Sequence, residues 1–233
     1  MPASPISKLP EDEQQELLDD LNYLNTAEVK LFCKQHSIPY TIAIGTNSGC
    51  PRKTNEDDRK GVILKRIRHF LKTGVVLRET CFRATVVCFE APPAELASND
   101  RVFYGQYDKT NHTMITLLRS LTNGKFRDGA IARILAREFW SRGEAPTFKE
   151  YASAWEQAAR EHRRPNAEWA FLSDRARGTA GPDWKKLRAK KAAKVMKTLK
   201  QITRGRKTGA LHWRGQVDSC SARNPPRGAP LES

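Results

Sequence analysis

Apolar residues recur along the first third of the chain at spacings of three and four, the period of helices that bury one face. Leu17, Leu18, Leu21 and Leu24 form the first such stripe, within an acidic segment from Glu11 to Tyr23. Val29, Phe32 and Cys33, continued by His36, form the second; Asn25 with Glu28 makes a capping box ahead of it, and Pro39 prevents continuation. Ile63, Ile67, Phe70 and Leu71 form the third, with Asp57 or Asp58 placed to cap it and Gly74 placed to stop it. Arg59 and Lys60 open this helix, and Lys65, Arg68, His69 and Lys72 fall opposite its apolar stripe. Arg66 lies at the stripe's edge, where its stem packs and its guanidinium is expected to reach water. Between the second and third helices, Tyr40 to Asn55 contains Gly45, Asn47, Ser48, Gly49 and Pro51, the chemistry of an irregular loop. Arg52 and Lys53 sit in that loop, just before the basic helix.

The pattern then changes. Phe82, Ala84, Val86 and Cys88 alternate with Arg83, Thr85 and Val87, which predicts a strand, and Arg101 to Tyr107 reads as a second strand that could pair with it. Tyr104 and Tyr107 are candidates for base stacking, although aromatic core and rim is the favoured reading. Helices are predicted over His112 to Thr122, ended by Asn123-Gly124, and over Ala130 to Arg142, with Ile131, Ile134, Leu135 and Phe139 as the apolar stripe. After the turn Gly143 to Pro146, a Thr147/Glu150 capping box opens a helix with Phe148, Tyr151, Ala152 and Trp155 on one face. Helix, turn, helix is the outline of a DNA-reading unit, but Glu150, Glu156 and Glu161 suit the second helix poorly to phosphates, so a plain helical hairpin is expected. Lys125, Arg127, Arg133 and Arg137 make a secondary basic surface conceivable. Ala167 to Arg177 reads as helical, Gly178 to Pro182 as a break, and Asp183 as the cap of a last helix running to about Arg204.

Charge sharpens this picture. The 233 residues carry 41 basic and 26 acidic side chains, a net charge of +15, which points to a polyanionic partner. No acidic residue occurs from Trp184 to Val217, while eleven basic ones lie between Lys185 and Lys207. Unpaired like charge disfavours a helix unless a counter-charge is present. The acidic segment at Glu11 to Tyr23 is expected to be a packing helix; the alternative is that its acids occupy the basic face until a nucleic acid arrives. No segment is apolar enough to span a membrane, and MPASPISKLPEDEQQ lacks an apolar signal region, so an intracellular protein is expected. Five scattered cysteines do not make a disulfide framework. Cys33, His36, Cys50 and His69 fit no common zinc spacing, so Cys33 reads as core. No catalytic set, cofactor motif or nucleotide loop is visible.

Two runs resemble a known family. Glu28 to Ile38, EVKLFCKQHSI, is similar to the first helix of the SAP domain, and Lys60 to Ile67, KGVILKRI, is similar to its second. That resemblance implies a helix–loop–helix nucleic-acid-binding module over about 20–74, and carries a DNA-contacting role onto Lys60 and Arg66. Two departures stand out: Ser37 occupies a position where the family has Gly, and the loop is longer than the family's usual linker.

The expected architecture is mainly α: a leader over 1–19 whose first ten residues are flexible, the SAP-like module over 20–74, a mainly helical domain with a small two-stranded element over 75–177, a break and basic helix over 178–207, and a disordered tail over 208–233. The expected function is non-enzymatic DNA binding through phosphates, without metal or cofactor, in the nucleoid of a bacterium or the nucleus of a eukaryote. The residues picked for it are Arg52, Lys53, Arg59, Lys60, Lys65, Arg66, Arg68, His69 and Lys72, with Lys185, Lys186, Arg188, Lys190, Lys191, Lys194 and Lys197 from the last helix. RNA binding, an adaptor that docks a protein partner, and a nucleic-acid enzyme are the alternatives.

Overall fold

A computed structural model describes residues 4–46, 50–161 and 181–204, with the backbone alone for 181–185. The predicted helix at 167–177, positions 178–180 of the predicted break, the tail and the Lys185 side chain therefore lie outside the described residues; Gly181 and Pro182 are already helical, so the last helix starts before Asp183, which lies inside it and does not cap it. The described chain is mainly helical with a small three-stranded sheet. In order come a 3-10 turn at Ile6–Lys8, α1 (Glu11–Asp20), a 3-10 turn at Leu21–Tyr23, α2 (Thr26–Gln35), β1 (Thr41–Ile44), β2 (Arg52–Asp57), α3 (Lys60–Thr73), β3 (Cys81–Phe82), a 3-10 turn at Ala84–Val86, α4 (His112–Leu121), α5 (Ala130–Arg142), α6 (Phe148–Glu161) and α7 (Gly181–Thr203).

The three N-terminal stripes do what their spacing demands. Leu17, Leu18, Leu21, Leu24, Val29, Phe32, Cys33, Ile63, Ile67, Phe70 and Leu71 are buried together. Asn25 and Glu28 close the capping box at 2.6 and 2.8 Å. Gly74 ends α3 in the left-handed region, its N–H donating to the Phe70 carbonyl. Ser37 ends α2 with φ at +54°, the conformation that the family's glycine would adopt without a Cβ penalty. The same cluster takes in Ile6 and, from α7, Ala192, Val195, Leu199 and Ile202. It thus crosses the expected boundaries at 19/20 and 177/178. The first residues are packed rather than flexible from Ser4 onward: Ile6 is buried and Ser4 Oγ donates to the Leu71 carbonyl.

The segment between α2 and α3 is a hairpin, not an irregular loop. β1 pairs antiparallel with β2, with Ala43 opposite Lys53 and Ile44 opposite Arg52, and parallel with β3, giving the order β2-β1-β3. Its apolar side, Ile42 and Ile44, faces a second cluster that contains Phe82, Val86, Val102, Tyr104 and the inner faces of α4, α5 and α6. The expected strand over Phe82 to Cys88 is only Cys81–Phe82, because the chain tightens into a 3-10 turn at Ala84–Val86. Arg101 to Tyr107 contributes isolated bridges instead of a strand, Val87 to Tyr104 and Arg101 to Thr147. Tyr104 is buried, and Tyr107 bonds to Asp128 at 2.9 Å beneath α4 to α6, so neither offers a ring to a base. α5 also turns differently from its predicted stripe. Ala132, Ala136 and Trp140 are buried while Ile131, Leu135 and Phe139 only flank the core. Small residues let α6 approach closely enough for Tyr151 Oη to donate to the Ala132 carbonyl at 2.7 Å. The Thr147/Glu150 capping box forms as its residues require.

Arg66 joins the two clusters. Its guanidinium is buried, not solvated: it pairs with Asp58 at 2.8 Å and donates to Thr80 Oγ1 and to the carbonyls of Pro39 and Arg78. Asp58 is consequently not the side-chain cap of α3, whose N-cap is Arg59. Arg66→Ala removes one half of a buried pair and leaves Asp58 unpaired, so it is expected to cost about 3–5 kcal/mol. Urea unfolding of the full chain measures this; a loss below about 1 kcal/mol, the range of surface pairs, would mean that the pair is solvated.

Candidate nucleic-acid interface

The sequence-selected basic residues separate into those spent on the fold and those turned to solvent. Arg66 is buried as described. Arg59 pairs with Glu138 of α5 at 2.9 Å. Arg68 donates to the Leu18 carbonyl and to Asn22, holding α3 against the end of α1, and His69 is half-buried beside it. Lys65 and Lys72 point away from the core and are exposed. Arg52 and Lys53 are exposed on the edge strand β2, held by its pairing to β1 and not by a mobile loop.

Lys60 is half-buried and donates to the Asn22 carbonyl at 2.7 Å. Burial, and then the positive charge of Arg188, bring its pKa down to about 8 from 10.5. Burial pushes the Cys33 thiol up to about 12, as befits a core cysteine. Among the described residues no group of three His, Cys, Asp or Glu side chains is placed to hold a metal ion.

α7 supplies the clearest division. Its inner edge carries Arg188, Lys191 and Lys194, and each meets an acid from the N-terminal segment: Glu28 at 2.6 Å, Asp20 at 2.8 Å and Glu16 at 2.6 Å. Glu28 thus caps α2 and anchors α7 with the same carboxylate oxygen. Lys194 holds Glu16 below the usual carboxylate range. These acids are the counter-charge that a helix so rich in lysine needs. The opposite face is different. With the buried residues Ala192, Val195 and Leu199 as reference, Lys186, Lys190 and Lys197 project from the far side at 100° per residue, Lys200 lies on the flank beside them, and Arg204 follows directly on the end of the helix. All five are exposed, and none has an acidic partner among the described residues. They form one ridge about 27 Å long at 1.5 Å per residue. Lys200 and Arg204 are not among the residues picked from sequence; they become visible once the apolar stripe of α7 fixes which way the helix faces.

The chain matches no protein-family model, no curated protein and no solved structure.

The depressed pKa of Lys60 has a pH signature. Between about pH 8 and 10.5 the unfolded chain holds a proton here that the folded one has released, so stability rises with pH across that window. Lys60→Met keeps the stem and removes the titration. Subtracting the variant's urea-unfolding free energies from the parent's, pH by pH, cancels the tyrosines and should leave that rise; parallel curves for the two proteins would place the amine in water.

Proposed function

We propose that this chain binds duplex DNA through the phosphate backbone, with the outward ridge of α7 as the principal contact and Lys65 and Lys72 of α3 as a lesser one. The observation that carries the reading is the division of charge on α7: the inner basic residues are neutralised within the fold and the outer five are not. A net charge of +15 supplies the long-range attraction. The resemblance of Glu28–Ile38 and Lys60–Ile67 to the two helices of a SAP domain supports a nucleic-acid partner. Arg66, Arg188 and Lys191 leave the list of contacts, since their charges hold the molecule together.

The ridge is four lysines and one arginine. Lysine is a compact point charge without the planar fork that reads guanine, so the ridge suits phosphates and carries little sequence information. Binding at this face requires no catalysis.

Replacing Lys186, Lys190, Lys197 and Lys200 together with Ala changes exposed positions and should leave the fold intact. If each lysine neutralises one phosphate, the slope of log affinity against log salt should become shallower by about 3.6, four times about 0.9. Fluorescence anisotropy with a duplex over a salt series, on A·T-rich and G·C-rich sequences, reads this directly. A quadruple variant that keeps the parent's slope would remove α7 as the contact, and a flat slope in the parent would remove phosphate binding altogether.

A further inference from the structure

Phe89 is 60% exposed, more than any other large apolar side chain among the described residues. It is nevertheless held in place. Tyr104, itself buried, meets the ring at 77° with centroids 6.0 Å apart. Gly105 adopts φ of +99°, and a Cβ there would fall 2.8 Å from the ring's Cδ1 and 2.4 Å from the Cys88 carbonyl oxygen. Only glycine lets the backbone lie this close beneath the ring. Gln106 then donates to Cys88 Sγ and to the Glu90 carbonyl, tying down the residues on either side of Phe89. Arg52, on the neighbouring edge strand, sets its guanidinium 5.8 Å from the ring centroid, while Lys53, next along the strand, belongs to the opposite face.

The geometry points to a stacking site for single-stranded nucleic acid, with a base on Phe89 and a flanking phosphate on Arg52. An exposed ring on a fixed backbone, beside a guanidinium, is what single-strand binding uses: stacking accepts any base, and the charge meets the backbone. A duplex keeps its bases paired and offers no free face to this ring. Two acids lie nearby. Glu56 is paired with Arg137 at 2.9 Å, and Glu90 is exposed, so the local charge is not purely positive. The inference is independent of the α7 ridge and uses a different surface.

The test compares Phe89→Ala, Phe89→Leu and Phe89→Tyr in the full chain, by anisotropy with labelled oligo(dT), labelled oligo(U) and a duplex at one salt concentration. Removing the ring is expected to weaken single-strand binding about tenfold, within the range for loss of one stacked base, and to leave duplex binding unchanged. Phe89→Tyr keeps a ring and should bind like the parent, while Phe89→Leu should behave like Phe89→Ala. Preference between oligo(dT) and oligo(U) in the parent identifies DNA or RNA as the strand bound. The site is overturned if the parent binds neither single strand, if Phe89→Leu binds as well as the parent, or if Phe89→Ala weakens single strand and duplex equally. Loss of duplex binding in the quadruple lysine variant, with the Phe89 effect retained, separates this site from the ridge.

Discussion

The ion pair between Arg66 and Asp58 is the constraint on which the arrangement of the molecule turns. Arg66 lies on α3, whose apolar face belongs to the N-terminal cluster. Asp58 ends the hairpin, whose apolar face belongs to the other. Three more of its N–H groups go to Pro39, Arg78 and Thr80, which are the chain's entrance to the hairpin and its approach to β3. Thr80 Oγ1 also donates to Asp58, so both charges are satisfied beyond their mutual attraction. A buried pair with this many partners fixes one relative placement of helix and sheet, because any sliding leaves a charge bare in a dry interior.

With that placement fixed, electrostatics sorts the surface. Glu16 and Asp20 of α1 and Glu28 of α2 face the inner edge of α7, so the unpaired charge of that helix is left on its outer face. The acidic helix is therefore part of the packing and also sets which lysines remain available. Only Lys194, bonded to Glu16 while largely exposed, lies at the border between the two groups. A surface pair of this kind is weak, so its lysine is the one most readily shared with a ligand.

Much of the helical fold was legible in the sequence. Four leucines at helical spacing, the Asn25/Glu28 and Thr147/Glu150 boxes and Gly74 each have a local mechanism, and each acts as that mechanism requires. The hairpin was hidden for a physical reason: β2 is an edge strand whose residues, Arg52 to Asp57, are all polar, so no alternating pattern marks it. α5 misled because its close-packed face is built from Ala132 and Ala136, while its larger side chains sit at the flanks. Arg66 was misplaced because helical geometry sets its direction but cannot show that a buried Asp58 waits there. The candidate interface was partly legible. The charge run was plain, but which of its lysines face outward depends on Ala192, Val195 and Leu199 meeting a helix that lies at the other end of the chain.

That last meeting bears on how the protein is made. During synthesis, α1, α2 and α3 leave the ribosome long before α7, with α4, α5 and α6 emerging in between. Until α7 arrives, the N-terminal cluster lacks Ala192, Val195, Leu199 and Ile202, and Glu16, Asp20 and Glu28 lack their cations. The cluster built on α1, α2 and α3 is thus begun before α7 is made and completed only with it, and in the interval it presents an open apolar face rimmed by carboxylates. The rim keeps that face charged until the cations of α7 arrive to cover it.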